Sequence, residues 1–411
     1  MPLTHLHISR QPAVSGIIQS LPSSKSVSNR ALLIDALTNF RCNLLHLSSA
    51  RDTKLMYELI RSTDTVIDVK DAGTTMRFLT AYFSVTGQHR VLTGTERMKE
   101  RPIRLLVDAL RSIGVEIGYL GKEGFPPIEV KGFKTQALEE VSIRGDVSSQ
   151  YISALMMIAP ALPKGLTISL EGKVGSKPYL EMTAALMGHF GVTPDFRDAT
   201  IRIGPAAYHP RSYRIESDWS AISYWYAVAA LATEADLFLP DVVTEALQGD
   251  RVITGIMQPL GVRSIFEKGG LRLQHQPITS KSIKLDFTDC PDLAQTILPV
   301  CSVLGVKGEF TGLESLRIKE TDRIAALQAE LKKIGAALEE TTRGWSLVPG
   351  KVGDQQLFIH TYHDHRMAMG FAPLATRMEV NIADPDVVQK SYPAFWEDFG
   401  AVGFRIRSEE S

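Results

Sequence analysis

At 411 residues, 44% hydrophobic and 22% charged, the chain has an ordinary soluble composition and the length for two or three domains with a sizeable core. A formal net charge of -1 argues against nucleic acid as the main partner, since such binders carry a net basic footprint. The 3 cysteines, Cys42, Cys290 and Cys301, lack CxxC spacing and an even count, which points away from a disulfide scaffold or a zinc site.

In chain order, residues 6–18 alternate weakly and read as strand. The turn at 21–24 leads into a helix carrying Lys25 and Arg30, with Ser24 able to cap it. A short helix over 53–60 and a strand over 65–69 run into Asp71, Gly73, Thr74 and Thr75. A strand at 90–94, a basic loop at 97–102 and a helix over 103–112 closed by Gly114 follow. Paired short strands span 115–130. The strand at 141–144 leads to Ser148, Ser149, Gln150 and a helix to Ile158; the strand at 166–170 leads to Ser176 and a helix to Phe190. The same alternation continues with a strand at 213–216, a helix over 220–232, Gly249 and a helix to Leu260, a strand at 285–287, and Asp292 with a helix to Leu304. Strands alternating with helices over a long period predict an α/β chain of repeated units. Residues 1–11 lack the apolar core of a signal sequence, and the richest apolar run, 224–232, is too short to span a bilayer, so a cytoplasmic protein is expected.

The helix starts have a common chemistry. Ile324, Leu327, Leu331 and Ile334 recur at helical spacing before Gly335, so a helix should begin near Thr321, yet Arg317, Lys319 and Arg323 crowd that end. A helix N-terminus is partially positive, and cations there imply an anion supplied from elsewhere. Lys25 and Arg30, Arg77 after Gly73, and Arg366 after His363 repeat the arrangement. Together they read as a family of anion sites for a polyanionic ligand. A solvated basic face would explain any one of them, but not the repetition. The chain has no GxGxxG after a strand, no GxxxxGK[ST] and no HExxH, which lowers the odds of a dinucleotide enzyme, a P-loop enzyme or a zinc hydrolase. His363 and His365 lack a third ligand, so neither a metal nor another cofactor is expected.

The stretches LPSSKSVSNR (21–30), DAGTTMR (71–77), RMKERPI (97–103), SSQ (148–150), SKPY (176–179), IKETDR (318–323) and HDHRMAM (363–369) together resemble the 5-enolpyruvylshikimate-3-phosphate synthases, in colinear order over nearly the whole chain. The resemblance implies a two-domain inverted α/β barrel of repeated βαββαβ units with the active site in the interdomain cleft. It places residues 1–15 and 214–411 in one discontinuous domain and 16–213 in an inserted second, with one repeat trimmed near 40–70. It implies transfer of the enolpyruvyl group of phosphoenolpyruvate to the 5-hydroxyl of shikimate 3-phosphate, releasing phosphate on the route to chorismate and aromatic amino acids. A monomer with these small-molecule substrates is expected, without nucleic-acid or membrane partners.

By the same resemblance, Lys25, Gly73, Arg101, Gln150, Arg323, Arg366 and Lys390 form the phosphoenolpyruvate shell. Lys25, Ser26, Arg30, Ser148, Ser149, Gln150, Ser176, Asp292, Ser315 and Lys319 form the shikimate 3-phosphate shell, with Tyr179 packing beside it. Guanidiniums and ammoniums suit phosphates and carboxylates, and short polar groups suit ring hydroxyls. Asp292 is the candidate base toward the hydroxyl, Glu320 the proton carrier at the methylene and Lys25 the donor to phosphate oxygen. Structural alternatives are a cap for Asp292 and an ion pair of Glu320 with Lys319 or Arg323. Asp71 and Ser315 stand where the family more often has Asn; for Asp71 the expected role is a cap that orders the Gly73 turn. The sister transferase acting on UDP-N-acetylglucosamine uses a cysteine in a mobile loop, a setting none of the three cysteines has. A non-catalytic anion binder would not need Lys25, Asp292 and Glu320 together.

Overall fold

Pro12 breaks the first alternating stretch into two strands, Thr4–Ile8 and Ala13–Ile17, which enter different sheets. These and all other elements belong to a computed structural model describing residues 4–146, 148–172, 174–350 and 356–410. The chain forms two units, one of Met1–Ser23, Ser49–Arg51 and Glu216–Ser411, the other of Ser24–Ser48 and Asp52–Ile215. The expected division at 15/16 lies instead beyond Ala13–Ile17, because that strand pairs in parallel with Glu234–Pro240 of the first unit.

In the first unit, Ser282–Asp286 lies parallel to Lys307–Thr311, which pairs antiparallel with Gly344–Val348, and that strand with Ala337–Thr341. Parallel neighbours require a crossover, supplied here by helix Ala294–Leu304; helix Arg323–Lys333 then leads into the closing hairpin. The order is therefore β-α-β-α-β-β, where the sequence reading expected βαββαβ. Only a tight turn can join Ala337–Thr341 to Gly344–Val348, so both helices precede the hairpin. Among its described residues the first unit holds three four-stranded sheets with this one-parallel, two-antiparallel pattern. All the sheets stay open; among the described residues none closes into a barrel.

Among its described residues the second unit has two sheets of the same pattern and a third of two strands, Asn43–Leu45 parallel to Ser212–Arg214. There helix Arg51–Leu59 runs directly into Val66–Asp68, the first strand of the next sheet, with no hairpin between.

Every residue of helix Trp219–Leu231 in the first unit is buried, as its apolar run demands. Its Ser223 hydroxyl lies 2.9 Å from that of Thr296 on helix Ala294–Leu304. In that second helix Pro299 has no N–H to give the Gln295 carbonyl four residues earlier. Helix His365–Phe371 crosses at this point through Gly370, where an added Cβ would lie 2.2 Å from the Gln295 carbonyl oxygen. The two helices begin next to Asp292 and Arg366, and their close crossing brings those side chains into contact. Among the described residues no helix is long and apolar enough to cross a membrane.

Candidate active site

In the second unit, Ser24 caps helix Lys25–Leu37 by accepting from the Val27 amide at 3.3 Å. Lys25 opens the helix with its ammonium 3.2 Å from the Asp52 carboxylate. Arg30, 2% exposed, donates to the hydroxyls of Thr183 (2.7 Å) and Ser153 (3.1 Å) and to the Ser26 carbonyl (3.0 Å). Its guanidinium also sits 5.5 and 5.7 Å from the ring centroids of Phe78 and Tyr179. Burial pulls the Arg30 pKa down to about 10, against a weaker pull from Tyr179. Among the described residues no carboxylate pairs with Arg30: a fully buried cation is held by neutral oxygens alone.

Helix Gly73–Val85 starts under Arg101. A Cβ on Gly73 would meet the Arg101 guanidinium at 2.6 Å, so the missing side chain lets that cation lie against the helix start. Arg77 donates to the Gly73 carbonyl (3.2 Å) and the Pro102 carbonyl (2.9 Å), and the Tyr151 hydroxyl donates to the latter as well, tying the basic loop to this end. The Gln150 side-chain Nε2 donates to the Thr74 hydroxyl at 3.0 Å from the start of helix Ser149–Ile158, which Ser148 caps. The N-cap before Gly73 is Ala72, so Asp71 stands one residue outside the expected capping position. Ser176 takes a left-handed conformation (φ 55°) before helix Lys177–His189, and its hydroxyl makes no cap bond.

In the first unit, Asp322 caps helix Arg323–Lys333, accepting from the Ile324 and Ala325 amides at 3.1 Å each. The helix begins two residues after Thr321, and the expected anion is already present as protein carboxylates. Arg323, buried, donates to Asp364 (2.7 Å), Glu320 (2.9 Å) and Asp292 (3.1 Å). Arg366 donates to the other Asp292 oxygen at 2.9 Å, and contacts the Ser220 hydroxyl (3.4 Å) and the Tyr224 hydroxyl (3.3 Å). Asp364 caps the helix that carries Arg366 by accepting its amide at 2.9 Å.

Electrostatics separate the carboxylates of this cluster. Burial alone would raise the Asp292 pKa, but Arg366, Lys319 and Arg323 outweigh it and hold the group well below the usual carboxylate range. Asp250, which accepts from the Ser220 hydroxyl, is pushed up to about 7 by burial and by the charge of Asp292. Arg323 is held above its ordinary value: burial works against its charge, and Asp364, Glu320 and Asp292 prevail. Lys390 is 2% exposed in the turn Pro385–Lys390, and Ser315 is half-buried in the turn Glu314–Ile318. His365 is buried with its ring nitrogen 3.6 Å from Asp364. Burial raises the thiols of Cys290 and Cys301 to about 12, which leaves them protonated and poorly nucleophilic. Among the described residues no group of three or more His, Cys, Asp or Glu is placed to hold a metal ion.

A sequence profile of the EPSP synthase (3-phosphoshikimate 1-carboxyvinyltransferase) family matches residues 60–399. The chain belongs to the EPSP synthase family. It is 44% identical over 394 residues to a 3-phosphoshikimate 1-carboxyvinyltransferase of Bacteroides fragilis, covering 95% of this chain and 96% of that protein. A second relative of the same name, from Cellvibrio japonicus, is 36% identical over 94% of this chain and 96% of its own length. The solved EPSP synthase of Acinetobacter baumannii superposes with a TM-score of 0.76 at 20% identity, covering 99% of this chain and 100% of that one, which shows the shared fold.

Within this EPSP synthase fold, the structure directly joins Asp292, Glu320, Arg323 and Arg366 in the first unit, and Ser26 with Arg30, and Gly73 with Arg101, in the second. Sequence reasoning passed over Asp250, Ser220, Tyr224 and Asp364 in the first cluster, and Asp52, Ser153 and Thr183 in the second. Asp364 lies inside the quoted HDHRMAM stretch and was within reach of the same reasoning. The others sit in helices or turns with no local signature.

Proposed function

We propose that this chain transfers the enolpyruvyl group of phosphoenolpyruvate to the 5-hydroxyl of shikimate 3-phosphate and releases phosphate, acting as a cytoplasmic monomer. The observation that carries the reading is Asp292 bridged by Arg323 and Arg366, with Glu320 on the same Arg323 guanidinium. In the first step the hydroxyl oxygen bonds to the phosphate-bearing carbon of the enol as Asp292 takes the hydroxyl proton, while Glu320 protonates the methylene; this gives a tetrahedral adduct. In the second, the carbon–oxygen bond to phosphate breaks as Lys25 protonates the leaving oxygen, and Glu320 recovers a proton from the methyl group to restore the double bond.

The depressed pKa of Asp292 gives this scheme a built-in order. While both guanidiniums rest on Asp292, its carboxylate is a weak base. Phosphoenolpyruvate, with a carboxylate and a phosphate, competes for the same guanidiniums, and losing their pull raises the basicity of Asp292 when the hydroxyl arrives. In the second unit, Arg30, which pairs with no carboxylate among the described residues, and the Ser176 hydroxyl, which makes no cap bond, suit the phosphate and ring hydroxyls of shikimate 3-phosphate.

The test is a phosphate-release assay with each substrate alone and both together, in metal-free buffer. Phosphate should appear only when both are present. Release without shikimate 3-phosphate, or only with UDP-N-acetylglucosamine, would refute the reading.

A further inference from the structure

Tyr362 and His363 stand side by side in the left-handed region, at φ 53° and 56°, directly before Asp364. Consecutive non-glycine residues in this conformation persist only where surrounding contacts over-determine them. Here the Asp364 amide closes the turn by donating to the Thr361 carbonyl at 2.9 Å, and one buried side chain holds the closed turn against helix Arg323–Lys333. Glu330, fully buried, accepts from the Tyr362 hydroxyl at 2.7 Å on one oxygen, and from the His360 amide (3.3 Å) and the Lys333 ammonium (2.7 Å) on the other. Lys333 also donates to the Phe358 carbonyl at 2.8 Å, in strand Leu357–Ile359.

Glu330 and Arg323 are seven residues apart on helix Arg323–Lys333, two turns along one face. That face therefore grips the left-handed turn at both ends, through Glu330 at His360 and Tyr362 and through Arg323 at Asp364. What leaves the turn is Asp364, which caps the helix start that aims Arg366 at Asp292. We infer that Glu330 is a positioning residue for the transfer reaction: through Tyr362 it holds the strained turn that sets Asp364 and Arg366 against Asp292 and Arg323. The inference rests on the proposed function.

The experiment compares wild type, Glu330→Gln and Tyr362→Phe for kcat, KM and unfolding, each alone and combined with His363→Gly. His363 is exposed, and glycine accepts the left-handed conformation without strain. Both single variants should stay cooperatively folded while kcat falls about 10-fold or more, the scale expected when a catalytic set is displaced by a fraction of an ångström. Adding His363→Gly should return most of that loss, a rescue that a purely structural ion pair would not give. Wild-type kcat in both single variants, or no rescue, overturns the inference. Crystal structures of wild type and Tyr362→Phe give a readout independent of turnover, with residues 362–363 expected to leave the left-handed region and Asp364 to part from Arg323. An unchanged turn overturns the positioning role even if the enzyme proves inactive, whereas inactive wild type with a displaced turn in the variant overturns only the proposed function.

Discussion

Gly370→Ala tests how far the crossing of helices Ala294–Leu304 and His365–Phe371 governs the chemistry. The added methyl would lie 2.2 Å from the Gln295 carbonyl oxygen and 2.9 Å from its carbon, where Cβ contacts are not found below 3.0 Å. The obstacle is backbone in a buried helix, so no side chain can rotate away, and the helices must part by about 0.8 Å at that point. Overpacking of this kind costs about 1–3 kcal/mol of stability. The more telling effect is functional, because Asp292 and Arg366 sit at the starts of these two helices and touch at 2.9 Å. A displacement approaching 1 Å in a catalytic set costs about 10²-fold in turnover. Urea unfolding gives the first number and the phosphate-release assay, run where the variant is fully folded, the second. An unfolding midpoint and kcat both equal to wild type would refute the claim that this crossing is tight. A loss of stability with unchanged kcat would refute its link to the site.

Arg30→Met removes a buried cation that, among the described residues, only neutral oxygens hold. Stability should stay within about 1 kcal/mol of wild type or rise, because desolvation no longer opposes folding. The KM for shikimate 3-phosphate should rise about 10-fold or more through loss of charged hydrogen bonds; a large drop in stability with unchanged KM would reverse that assignment. Asp250→Asn addresses pH. The pKa of Asp250 rises from 3.8 to about 7 on folding, so between those values the folded chain keeps a proton that the unfolded chain releases. Its contribution to stability therefore falls as pH rises through that window and is level above it. Wild-type stability measured relative to Asp250→Asn by urea titration should decline from pH 4.5 to 7.5, and a flat difference would show that Asp250 is ionised throughout.

What could be read from the sequence was whatever is encoded locally. The Ser24 cap, the Gly114 stop after helix Arg104–Ser112 and the cations at helix starts all follow from neighbours in the chain. The cations near Arg323 mark an anion site in the sequence, but not which protein carboxylates already sit on them. Of the carboxylates on Arg323, Glu320 is three residues away and within local view, but Asp292 and Asp364 lie 31 and 41 residues away, outside any local window. The Arg30 cage is equally remote, with Ser153 and Thr183 lying 123 and 153 residues along the chain. Single polar residues in buried helices, such as Ser220 and Ser153, look like tolerated small side chains until their partners are seen. The order of helices and hairpin within a repeat was also hidden, since short strands give the same alternation whether the next connection is a tight turn or a crossover.

The strand pairing also dictates a sequence of events during synthesis. Ala13–Ile17 pairs with Glu234–Pro240, and Thr4–Ile8 lies between Val380–Ala383 and Ile406–Glu410. The second unit is the intervening stretch 24–215 without Ser49–Arg51, and every strand it pairs lies within that stretch. As the chain leaves the ribosome the second unit can condense while the first two strands still lack partners, because domains emerging first fold first. The opening strand is thus the last to be enclosed, and the sheet that carries it cannot finish until nearly the whole chain has been made. A nascent chain halted shortly after residue 215 should already resist proteolysis over 52–215 while its first twenty residues remain open to cleavage.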